Sequence, residues 1–269
     1  MVLPASALAQ ADDPVLVPRA TDSAVAAVTS EINAGDDASV AQAEKQIRFW
    51  FVKETVPMPF WRTWLPALMN YRRYQEAADL SIGAVMQRPG IEAIAPLLEF
   101  RAKALMALYK PREALAAAKS YYNVCALKDT GNALDLIEQC LKPDNNDAVI
   151  RFRAEQEAAA SAAASGGRLP QSSFLKSVHI DPAPYDQAIK DWSQMPDRPA
   201  YANLLLAADR AMEAEAVFRE LYKSATDQQT LTVAIDGITR SLRAEDGNVA
   251  RADVWLMALQ RGTASSAAP

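Results

Sequence analysis

Catalysis needs side chains that exchange protons, attack an electrophile or hold a metal, and this chain offers few of them in workable combinations. His179 is the single histidine, which excludes a multi-histidine metal site or a two-histidine acid–base pair within one chain. It could activate Cys125 or Cys140 as a thiolate nucleophile; the alternative is an ordinary loop histidine beside a small-residue stretch. The carboxylates of "EFRAKALMALYKPREA" and "RAMEAEAVFRE" alternate with Arg and Lys at helical spacing, the pattern of a solvated helix face. No phosphate loop, dinucleotide fingerprint or metal-ligand cluster is present, so neither a cofactor nor a metal is expected. The aromatic group Phe49, Trp50, Phe51, Phe60, Trp61 and Trp64 could stack on a sugar or peptide. In a helix-rich chain such residues more often bury one another, because each removes a large apolar area from water; Trp192 and Trp255 take the same reading.

The two cysteines invite a disulfide in an exported protein. Cys125 lies about five residues before the middle of the turn "KDTGN" and Cys140 about ten after it, so in regular antiparallel helices they differ by about 7–8 Å along the axis. A disulfide spans Cα separations only up to about 7 Å. Two buried thiols are expected.

Helices must position whatever site exists. Alanine, the strongest helix former, supplies 53 of 269 residues and glycine only 9, and apolar residues recur at helical spacing with almost no strand-type alternation. The expected class is all-α, with more than half of the residues helical. The formal charge of −5, spread without basic patches, leaves no footprint for nucleic acid or an anionic membrane. No stretch reaches the 18 or more uncharged apolar residues of a membrane span. Ala9-Gln10-Ala11 before Asp12-Asp13 matches the small-x-small cleavage site of a secretory signal. Residues 1–20 are therefore read as a signal-peptide remnant and disordered start, and the protein as exported, periplasmic or secreted.

Caps and breakers predict helices at about 21–34, 38–54, from Pro59, 92–109, 111–126, 131–142 and 146–163, and again at about 198–208, 211–224, 228–244 and 247–260. Between the two groups, "AAASAAASGGRLPQSS" has no apolar face to bury. It predicts a mobile loop or linker at 162–181, separating helical-hairpin regions at 21–161 and 182–262; residues 263–269 form a frayed tail.

The second helices share a pattern. "YQEAADLSIGA" around Ala77 aligns with "PREALAAAKSY" (Ala114), "AMEAEAVFREL" (Ala214) and "GNVARADVWLM" (Ala250). Twelve residues before these anchors stand Leu65, Ala102, Ala202 and Ile238, and nine before stand Leu68, Leu105, Leu205 and Ser241. Trp61, Tyr74, Ala77, Ala84 and Pro89 fall on the residue types preferred by the tetratricopeptide repeat, which the pattern resembles. The chain departs from that family at Leu65 and Ile238, where the repeat carries a helix-crossing glycine. Its anchor spacing exceeds the usual 34 residues, and no clean copy lies between Ala114 and Ala214.

The resemblance implies antiparallel hairpins stacked as a short superhelix whose first helices line a concave surface for a protein segment. Counting back from the anchors, the family's groove positions fall on Arg62, Met69 and Asn70, then Lys103 and Met106, then Asn203. The functional expectation is a non-enzymatic interaction or assembly module of a bacterial-type cell envelope. The alternatives are a carbohydrate- or cell-wall-binding protein using exposed tryptophans and, last, a Cys–His enzyme.

Overall fold

A computed structural model describes residues 22–53, 59–86, 91–142, 146–165 and 172–261. Helix occupies 84% of them and no strand occurs among them, so the chain is all-α. The helices are α1 Asp22–Ala34, α2 Asp37–Lys53, α3 Pro59–Asn70, α4 Tyr74–Val85, α5 Ile91–Ala107, α6 Pro111–Val124, α7 Thr130–Leu141, α8 Asn146–Ser165, α9 Ser173–Ser177, α10 Ala183–Ser193, α11 Arg198–Ala207, α12 Ala211–Ser224, α13 Gln228–Asp246 and α14 Ala250–Gln260. Local chemistry sets several starts. Pro59 and Pro111 open helices, where a missing N–H costs nothing. Asp36, Asp197 and Asp227 each accept the N–H three residues on, from Ser39, Ala200 and Thr230, and so satisfy a first-turn donor.

The chain divides into two compact units, Met1–Ala67 and Leu68–Pro269, with the division inside α3. In the first unit α1 packs on α2, burying Val28, Ile32, Val40 and Ala43. The turn between them passes through Gly35 at φ 74°, a left-handed conformation that glycine adopts without strain.

The second unit is built from helical hairpins. Three of them close in the same way. Arg72, Tyr109 and Asp209 all take left-handed φ of 58–64°. In each turn this residue donates its N–H three residues back and the next residue donates five back: Arg72 to Met69 and Arg73 to Leu68, Tyr109 to Met106 and Lys110 to Leu105, Asp209 to Leu206 and Arg210 to Leu205. This is the Schellman closure, which satisfies carbonyls that a helix end leaves without partners. Each turn residue stands five positions before a fully buried anchor: Ala77, Ala114 and Ala214 are 0% exposed. The stretch around Ala250 keeps a buried alanine but turns through Gly247 at φ 67°, three positions before it. There the pattern's apolar positions four and seven residues later, Val254 and Met257, are exposed.

The hairpins join into one body. α5 packs on α4 and α6, α12 on α11 and α13, and α13 on α14. α11 also packs on α5 and α6, and α13 on α6. Helices α7–α10 therefore lie in sequence between helices α5–α6 and α11–α13, which pack directly on one another. α13 approaches α12 closely at Gly237, where an added Cβ would come within 2.2 Å of the Phe218 ring.

One expectation is corrected. The loop placed at 162–181 is helical over 162–165, the end of α8, and over 173–177, α9; residues 166–171 lie outside the described residues. Alanine carries a helix without needing an apolar face, so α8 runs on through "AAAS". The stretch beyond is tied down: Ser172 caps α9 by accepting the Leu175 N–H at 3.1 Å, Glu155 accepts from Ser172, Ser173 and Phe174, and Leu175, Val178 and Ile180 are buried. The regions 21–161 and 182–262 both carry helices, and α11 and α13 of the second dock on α5 and α6 of the first. The signal-like motif in residues 1–20 and the tail at 263–269 lie outside the described residues.

Candidate functional site

Residues expected in a groove have different fates. Arg62 lies on α3 in the first unit, and its side chain is outside the described ones. In the second unit Met69 is half-buried and Asn70 exposed at the end of α3, while Lys103 is exposed and Met106 half-buried on α5. Lys103 and Met106 are three residues apart and share a helix face. Lys103 pairs with Glu99 one turn back at 2.5 Å; such surface pairs contribute little and exchange readily for another partner. Asn203 is a correction. It is 1% exposed, donates to the Pro199 carbonyl at 2.8 Å and accepts from Arg240, so it has no surface to offer a partner.

The acceptors that bury these polar groups are helix ends. α6 turns Lys119, Ser120 and Asn123 toward the C-terminus of α11: Ser120 donates to the Ala207 carbonyl at 2.8 Å and Asn123 to Leu206 at 3.2 Å. α13 in turn sends Arg240 and Arg243 to the C-terminus of α6. Arg240 donates to the Val124 carbonyl, and Arg243 to those of Tyr122 and Cys125 and to the Thr130 hydroxyl. A helix C-terminus carries partial negative charge on its last carbonyls, which favours both cations; Arg240 is also paired with Asp236 one turn back at 2.8 Å. Arg243, 0% exposed, also lies 4.8 Å above the Tyr122 ring, a favourable cation–π contact.

Beside this network a pocket of about 320 Å³ opens between α6, α9, α12 and α13, lined by Lys119, Lys176, Asp209, Ala211, Met212, Ala244 and Glu245. Lys119 is held in its wall by the Asp209 carboxylate at 2.7 Å and the Val178 carbonyl at 2.9 Å. Glu245 meets Glu215 of α12 across the helix seam. Burial and the adjoining Glu215 carboxyl push Glu245 up to about 7, against the pull of Arg251. Arg251 holds Glu245 at 2.6 Å, and Arg219 holds Glu215 at 2.5 Å. Glu215 is 8% exposed, so the solvated face read into "RAMEAEAVFRE" is corrected at this position. Sequence reasoning missed the pair because its members stand thirty residues apart on different helices. The one available signal was a glutamate at a position one residue beyond the buried anchor Ala214.

The thiols and the described tryptophans lie in the core. Cys125 and Cys140 are free thiols, 0% and 3% exposed. Burial raises both above the usual thiol range, Cys140 to about 12, which removes the thiolate a nucleophile needs. His179 is exposed. Neither cysteine is expected to react with iodoacetamide in the native protein at pH 7.5, while both react in denaturant without reductant; intact mass counts the labels. Trp64, Trp192 and Trp255 are buried; the side chains of Phe49, Trp50, Phe51, Phe60 and Trp61 are outside the described ones. Among the described residues no group of three or more His, Cys, Asp and Glu could hold a metal, and no helix is long and apolar enough to cross a membrane.

Comparison with protein-family models, with curated proteins and with solved structures finds no match.

Proposed function

We propose that the second unit is a non-enzymatic binding module that holds a protein segment along the first helices of its tetratricopeptide-like hairpins. One observation carries this reading: three hairpins repeat the same backbone closure at Arg72, Tyr109 and Asp209, each five residues before a buried alanine. Repeating hairpins present equivalent helix faces side by side, which suits an extended ligand. On those faces Met69, Asn70, Lys103 and Met106 retain access to solvent. An amide and an ammonium supply hydrogen bonds to a peptide backbone or carboxylate, and methionine adapts to apolar side chains. The compartment proposed is an exported one, periplasmic or secreted, on the strength of Ala9-Gln10-Ala11. The tryptophan-based carbohydrate reading loses support from the burial of Trp64, Trp192 and Trp255, and the Cys–His reading from the buried, protonated thiols.

Mild crosslinking in the native source, with linked residues mapped by mass spectrometry, tests the proposal. Links from Lys103 to one recurrent protein segment support it. Links confined to Lys176 and Lys190, with none at Lys103, contradict it.

A further inference from the structure

The Glu215–Glu245 pair has geometry that the binding face does not use. Its carboxyls come from different helices, both are mostly withdrawn from water, and each is also held by an arginine, Arg219 on α12 and Arg251 on α14. Glu245 Oε1 is buried and has no donor among the neighbouring groups. A proton held between the two carboxyls supplies that donor and removes one negative charge from the seam. We propose that Glu215 and Glu245 form a proton-operated latch: a shared proton closes the α12–α13 seam beside the pocket, and its loss loosens that seam.

The surrounding charges are consistent with two settings. With the proton present, Arg219 and Arg251 face a single negative charge. Without it, they face two carboxylates that repel each other across the helix contact. Lys119 of α6, Lys176 of α9 and Asp209 of the α11–α12 turn line the pocket on the other side of Glu245. Lys119 and Asp209 neutralise each other. Between α11 and α13, Arg240 donates to Asn203 and is paired with Asp236 of its own helix at 2.8 Å.

The direction of the effect follows from proton binding. In the closed seam Glu245 gives up its proton near pH 7, whereas a detached glutamate does so near 4.5. Between those values the closed form binds more protons than the open one, so closure weakens as pH rises through this window and is constant above it.

Hydrogen exchange of the full chain, read by peptide and corrected for intrinsic rates, tests the latch. Opening of α12–α14 is expected to increase with pH between about 5 and 7, by up to about tenfold per unit, and to level off above. Peptides of α4 and α5 serve as the internal reference and stay flat. In Glu245→Gln, which keeps the shape and donates an N–H without titrating, the increase in α12–α14 disappears. Equal pH dependence in α12–α14 and α4–α5 of the wild type overturns the proposal, as does a Glu245→Gln protein that keeps the wild-type slope. If that variant does not fold, a carboxyl-carbon NMR titration of wild-type Glu245 decides. A midpoint near 7 supports the latch, and one near 4.5 overturns it.

Discussion

Arg243→Ala is expected to destabilise the second unit by about 3–5 kcal/mol, the cost of leaving buried polar groups without their charged partner. Arg243 is 0% exposed and serves the Tyr122 and Cys125 carbonyls and the Thr130 hydroxyl at once. The first two are carbonyls at the C-terminal end of α6, that of Tyr122 also accepting from the Cys125 thiol at 3.5 Å, and the third begins α7, so one side chain joins α13 to both. An apolar replacement cannot remove the backbone acceptors and leaves them desolvated. Arg243→Lys should recover only part of the loss, because an ammonium lacks the planar fork that reaches separate acceptors. Equilibrium urea unfolding measures both. A loss below about 0.5 kcal/mol for Arg243→Ala, the level of a surface substitution, would mean that water replaces the guanidinium at these carbonyls.

Asp209→Ala is the next largest, at about 2–4 kcal/mol. Two effects add. Asp209 has φ 64°, a left-handed conformation that costs an alanine about 1–2 kcal/mol and an aspartate less. Its carboxylate is also the counter-ion of Lys119, whose side chain is 4% exposed. Losing one member of a buried pair costs about 3–5 kcal/mol. Asp209 itself is a third exposed, so screening by water and entry of a solvating molecule reduce that figure. Asp209→Asn separates the contributions: it tolerates the left-handed turn and keeps one oxygen for Lys119, so its loss should be the smaller. Denaturant midpoints of the two variants check this. Equal losses would assign the whole effect to charge, and a loss for Asp209→Ala of only about 1–2 kcal/mol, the turn's strain alone, would show that Lys119 finds another partner.

The hairpins were legible because their causes are local. Proline at 59 and 111, aspartate caps and the alanine anchors act within a few residues, so most helix boundaries fall within one or two positions of the sequence expectation. What failed depended on contacts distant in sequence. Asn203 occupies a groove position by counting, yet Arg240, 37 residues later, reaches it from α13. Glu215 has the charge pattern of a solvated face, yet Glu245 lies against it. Helix periodicity describes one face of one helix and does not say which other helix will cover it. The misplaced linker has a different origin. "AAASAAAS" lacks an apolar stripe, but alanine needs none to stay helical, and the hydrogen bond from Ser172 to Glu155 at 2.6 Å joins the start of α9 to α8.

The central claim is that the faces of α5 and the end of α3 hold a protein segment. Its most direct test is the affinity of the crosslinked partner, as a purified segment, for wild type and for an Asn70→Ala, Lys103→Ala, Met106→Ala variant shown to be folded by its unfolding midpoint. A hydrogen bond from a charged group contributes about 1.5–3 kcal/mol and a neutral one about 0.5–1.5, so the account predicts weakening by more than about 2 kcal/mol, roughly thirtyfold in Kd. An unchanged Kd in the folded variant would contradict it and leave these faces with a structural role alone.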